Sequence, residues 1–205
     1  MSPKMIRWGG WVLLVGGAIS LVATVLTLVI PGPAGFSGPP SNVVSVINLI
    51  AGVLLLLGLP AAYLAHSKLL GTLGLIGCIA LWLTALLFDV VLGVIAIIVV
   101  SSSNAVSLAG PPPPPLFALF IVGTLLELIG GVLLGIRIIQ TRVYASLTGW
   151  LLIVGVVLSA VGFPLNGTMS MIVQTVSSLL LFVALGWLGY AVASQSVEVA
   201  TQSAS

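Results

Sequence analysis

Charge is what this sequence has least of. Among its 205 residues are five lysines and arginines and three aspartates and glutamates, so 4% of the side chains are charged against 60% hydrophobic. A soluble domain carries about 25% charged residues, because its surface faces water. So sparse a set cannot cover a 20.9 kDa globule, and the mean hydropathy of +1.38 agrees. A water-soluble fold is excluded, and the apolar surface must face lipid.

Other scarcities remove further classes. The basic residues lie in three separated places, which excludes a nucleic-acid groove despite the net charge of +2. Cys78 is the only cysteine and His66 the only histidine. An intrachain disulfide is impossible, and one thiol with one imidazole cannot build a zinc, iron–sulfur or bis-histidine haem site. Neither HExxH nor GxSxG occurs, and the basic connections hold no glycine-rich phosphate cradle. No catalytic residue, metal or cofactor is expected, and the chain reads as non-enzymatic.

What the sequence does have is six long apolar runs: Trp8–Ile30, Val43–Leu64, Leu70–Val91 (with apolar sequence on to Val100), Leu116–Ile138, Ser146–Pro164 and Met169–Ala193. Each is near the roughly 20 residues that cross a bilayer core as a helix. Only helices or closed barrels satisfy every backbone group in lipid, and these runs show no alternation. The expected fold is all-α: a polytopic membrane helical bundle of six transmembrane helices, one domain over residues 1–193. The polar stretch 194–205 reads as a disordered cytoplasmic tail. With six crossings, Lys4, Arg7, Lys68, Arg137 and Arg142 all fall on one side. The positive-inside rule makes that side cytoplasmic, with both termini there and the plasma membrane as the compartment. The first run has a basic start like a signal peptide, but exceeds the roughly 7–15 apolar residues of a cleavable one, so it reads as a retained span. Between runs, "PPPPP" (111–115) predicts a short polyproline II lead-in, and "NGT" (166–168) matches a glycosylation acceptor.

The runs resemble one another in pairs. "GWVLLVG" (10–16), "GTLGLIG" (71–77) and "GWLLIVG" (149–155) open the odd runs; "NLIAGVLL" (48–55), "ELIGGVLL" (127–134) and "QTVSSLLL" (174–181) answer in the even ones. This suggests three copies of one two-helix hairpin. Asn48, Glu127 and Gln174 then fall at one register position, each followed three and four residues later by small residues. Positions i, i+3 and i+4 share a helix face, and membrane helices meet on small residues. Gly52, Gly130, Gly131 and Gly135 are therefore the expected helix-packing positions, with the polar side chains on the same buried faces.

Glu127 lies near the centre of its run, where a charge costs roughly 2.5–3.5 kcal/mol on insertion scales. It is expected either as a neutral knob that ties helices together or as a way-station for protons or cations. Asn48, Gln174 and Asp89 complete the possible intramembrane site. For Asp89 two placements are open: at the outer interface, or deeper, beside Glu127, if the third helix slides or tilts. His66 reads as an exposed loop residue, and Ser20 and Ser159 as back-bonding to their own helices.

The basic turn leading into a glycine-rich helix start, "RVYASLTGWLLIVG" (142–155), together with the proline-rich outer loops, resembles small, uncharacterised six-span bacterial integral membrane proteins. The resemblance implies a bacterial inner membrane and no particular reaction. The expected partners are the lipid bilayer and a membrane protein, either a different chain or a second copy. The expected role is a structural or interaction component of a membrane complex; the alternative is a small transporter or channel for protons, cations or an apolar solute.

Overall fold

The structure, a computed structural model, describes residues 3–29, 39–101, 114–165 and 167–202. The polyproline reading at 111–113 and the acceptor Asn166 lie outside the described residues. Every regular element described is helical: α1 (Pro3–Val29), α2 (Pro39–Ala65), α3 (Ser67–Ala85), a π-helical turn (Leu86–Val91), α4 (Leu92–Ser101), α5 (Pro114–Thr141), α6 (Ser146–Gly162) and α7 (Gly167–Gln202). Beyond the break at Gly71, α3, the π-helical turn and α4 run on as one rod. Prolines open α1, α2 and α5, where their missing N–H groups cost nothing. Pro114 and Pro115 thus begin a helix rather than extend a polyproline segment. Past Ala193, the polar residues expected as a tail continue α7 as far as Gln202.

Five helices are long and apolar enough to cross a membrane, over Lys4–Leu26, Val43–Ala65, Ser67–Ile95, Pro114–Thr141 and Gly167–Ser194. α6 is shorter, at 17 residues, or about 25 Å. α1 packs on α2, α2 on α3, α3 on α5, α5 on α6 and α6 on α7, and α7 returns to α1, closing a ring. Leu13, Leu55, Leu59, Leu70, Ile138, Leu152 and Leu188 fill the interior. Val22, Leu57, Leu125 and Ile172 are among the large apolar side chains left on the outside, an arrangement suited to lipid and unfavourable in water.

The helices approach closely where glycines meet. A Cβ on Gly130 of α5 would lie 2.7 Å from the backbone nitrogen of Leu81, and one on Gly77 of α3 would lie 2.7 Å from that of Leu134. Gly135 meets the Gly149 carbonyl across α5 and α6, Gly131 receives Val156, and Gly52 of α2 receives Asp89. All four expected packing glycines therefore sit at helix contacts.

Backbone groups that lose their helical partner find another in a neighbouring helix. Pro60 lies inside α2 and offers no N–H to the carbonyl of Leu56, four residues back. The indole Nε1 of Trp82 on α3 donates to that carbonyl at 3.0 Å. The break in the ladder is filled by a side chain.

Candidate functional site

Among the described residues, Glu127, Thr148, Ser159 and Ser177 are buried polar side chains on α5, α6 and α7, with Ser20 on α1 and Thr84 on α3 apart from them. Glu127 is only 6% exposed, and Ser159 Oγ on α6 donates to its Oε2 at 2.9 Å. The backbone carbonyl of Ser159 accepts from Gln174 Nε2 on α7 at 3.1 Å. One turn earlier on α6, the Gly155 carbonyl accepts from Ser177 Oγ at 2.8 Å. Three helices are thus tied by one polar ladder at the Glu127 level. Ser159 was expected to bond within its own helix. Instead its hydroxyl faces α5, because Gly155 and Gly162, on either side of it along one face of α6, let α7 come close while Gly131 and Gly135 let α5 in.

Asp89 takes the deeper of its two possible placements. Its Cβ packs on Gly52, nine residues from Val43 and thirteen from Ala65 at the two ends of that apolar helix. The level is well inside the span. Between the Trp82–Leu56 bond and the Asp89–Gly52 contact the rod advances seven residues while α2 advances four. The π-helical turn lies between these two contacts; such turns add a residue, re-aim side chains and recur at functional sites. Asp89 is half-buried and near enough to Glu127 to interact with it electrostatically. Beside it Phe88 fills the space over Gly123 and stacks on Phe120, and Thr84 Oγ1 bonds the Ala80 carbonyl at 3.0 Å. Asn48, one turn before Gly52, is half-buried. None of Asn48, Glu127 and Gln174 is exposed.

A second polar group, at the end of the bundle holding the 65–68 and 141–145 connections, was not legible in the sequence. Tyr144 is buried and its hydroxyl donates to the Ala62 carbonyl at 2.9 Å. That hydroxyl also lies 2.9 Å from His66 Nδ1. Its single hydrogen is spent on Ala62, so Nδ1 must carry the proton and donate. Burial lowers the His66 pKa and raises that of Tyr144, which keeps both neutral. Nearby, Gly71 (φ 61°, ψ −162°) interrupts α3, and Arg137 clasps the freed carbonyls, Nε to Leu70 at 2.9 Å and an Nη to Leu69 at 2.8 Å. His66 is thus half of a clasp rather than a loose loop residue. The only sequence signals were a glycine inside an apolar run and an arginine at the end of another.

Tyr144→Phe should cost about 1 kcal/mol, a typical net hydrogen bond, measured as a lower melting temperature in detergent. Because the His66 pKa is lower folded than unfolded, its contribution is present above about pH 6.5 and is lost as the pH falls through the folded value. His66→Asn should remove that part of the pH dependence below about pH 6.5; an unchanged profile would show that His66 is not its source.

Compared with known proteins, this chain matches no family model, no curated protein and no solved structure.

Proposed function

We propose that the chain is a non-enzymatic integral membrane protein of the bacterial plasma membrane, built to pack against a partner chain or a second copy as part of a membrane complex. One observation supports this above others. Glu127, the carboxyl buried within the α5–α6–α7 contact, is engaged by Ser159 at 2.9 Å, in a ladder that also holds Gln174. A carboxyl so occupied acts as a helix tie. Reconstitution tests the reading: liposomes containing the parent protein should pass neither protons nor monovalent cations above empty-liposome leakage, and cross-linking in native membranes should trap it with a protein partner. Flux without any cross-linked species would overturn it.

A second reading has its own support. Asp89, turned inward at the π-helical segment and within the field of Glu127, would make a two-carboxyl relay for protons or cations, and flux lost on Asp89→Asn would favour it.

Within this proposal α6 is a sixth span, since it packs between α5 and α7, and its shortfall of about 5 Å against a 30 Å core is within what local bilayer thinning absorbs. Three hairpin copies would pair α1 with α2, α3 with α5 and α6 with α7, and the members of each pair are in contact. Six spans place all five basic residues and both termini in the cytoplasm. Reporter fusions at residues 35, 108 and 205 should read outside, outside and inside. An outward signal at 205 would sink the six-span count.

A further inference from the structure

α1 and α7 touch backbone to backbone. A Cβ on Gly10 would lie 2.8 Å from the Ala193 nitrogen, one on Gly17 would lie 2.9 Å from the Gly186 nitrogen, and one on Gly189 would lie 2.5 Å from the Leu14 nitrogen. These glycines are demanded by the approach. Gly186 is different: a Cβ there would meet nothing within 4 Å. Glycine inside a helix costs up to about 1 kcal/mol relative to alanine, and at this position no steric need offsets it. What its missing side chain leaves is an open apolar crevice of about 320 Å³, lined by Leu14, Gly186, Trp187 and Tyr190. That is the small end of the range for ligand clefts, roughly 300–1,000 Å³, and suits one hydrocarbon chain rather than a bulky headgroup.

The charge above the crevice selects the ligand. Arg7, Trp11 and Leu14 follow one another at i, i+4 and i+7, so they share one face of α1. Arg7 lies seven residues beyond Leu14, about 10 Å toward the helix start, and Lys4 another turn on; both are exposed. Trp187 and Tyr190 are half exposed, at 50% and 55%, and Trp and Tyr favour the headgroup boundary. We propose that the α1–α7 crevice is a binding site for an anionic phospholipid, with one acyl chain over Gly186 between Leu14 and Trp187 and its phosphate at Arg7 and Lys4. Juxtamembrane basic residues attract anionic lipid in this way. The site depends on insertion of α1 and α7 in a bilayer, and not on the role assigned to Glu127.

The test is native mass spectrometry of the full chain taken from bilayers of phosphatidylglycerol and phosphatidylcholine in equal parts. The parent should retain one phosphatidylglycerol. Gly186→Leu places a side chain in the crevice, and should release that lipid while melting no lower than the parent. Lys4→Gln with Arg7→Gln, at exposed positions, should keep the fold and lose preference for phosphatidylglycerol over phosphatidylcholine, by about fivefold per cation removed. Equal lipid retention by parent and Gly186→Leu, or a preference untouched by the double substitution, would overturn the proposal.

Discussion

Glu127→Leu should lower the stability of the bundle by up to about 2 kcal/mol, the upper range for interhelical hydrogen bonds in membranes. The Ser159 hydroxyl would lose its acceptor and turn back on its own helix, and the α5–α6 tie would be gone. Glu127→Gln should behave differently, because the amide oxygen still accepts from Ser159 and the shape is kept. It should melt within about 1 kcal/mol of the parent. The pair of substitutions separates the two roles open to this carboxyl. If Glu127 is a tie, the leucine variant is damaged, the glutamine variant is not, and neither changes flux. If it carries protons or cations, glutamine abolishes flux while stability holds, since an amide cannot release a proton at any accessible pH. Melting temperature in detergent, read beside proton and cation flux in liposomes, distinguishes the outcomes.

Gly130→Val should be the more damaging change. Any Cβ at 130 would press on the backbone nitrogen of Leu81 at 2.7 Å and the backbone oxygen of Gly77 at 2.9 Å, and backbone cannot turn aside as a side chain tip can. α3 and α5 would have to separate, drawing Arg137 from the Leu69 and Leu70 carbonyls at the kink. Overpacking a tight contact costs about 1–3 kcal/mol, and here it falls on the crossing that also places Asp89 near Glu127. The expected result is a melting temperature too low for the folded protein to survive extraction, or a large loss of yield. Gly186→Ala is the contrast, because its Cβ would meet nothing within 4 Å. It should raise stability by about 0.4–1 kcal/mol by restricting the unfolded chain. If both variants behaved like the parent, the glycine contacts would not be what holds the helices at this distance.

The sequence by itself determined the solvent, the helical class and the small-residue contact faces. Those follow from quantities that need no partner: too few charges to meet water, apolar runs long enough to span lipid, and glycines at helical spacing behind a polar residue. Gly52, Gly130, Gly131 and Gly135 were legible because a helix has one fixed periodicity. Where two helices meet, periodicity has nothing to say. Ser159 could have bonded its own helix or a neighbour, and only the α5–α6 crossing decided for Glu127. Asp89 could have stood at the membrane edge; it lies in the π-helical turn and packs on Gly52 instead, because a local change of helical phase re-aims the side chains that follow it. The clasp of His66, Tyr144 and Arg137 joins residues 62–70 to residues 137–144. Its cause is long-range: a kinked helix in a dry bundle leaves carbonyls unpaired, and the fold supplies donors from whichever helix lies beside them.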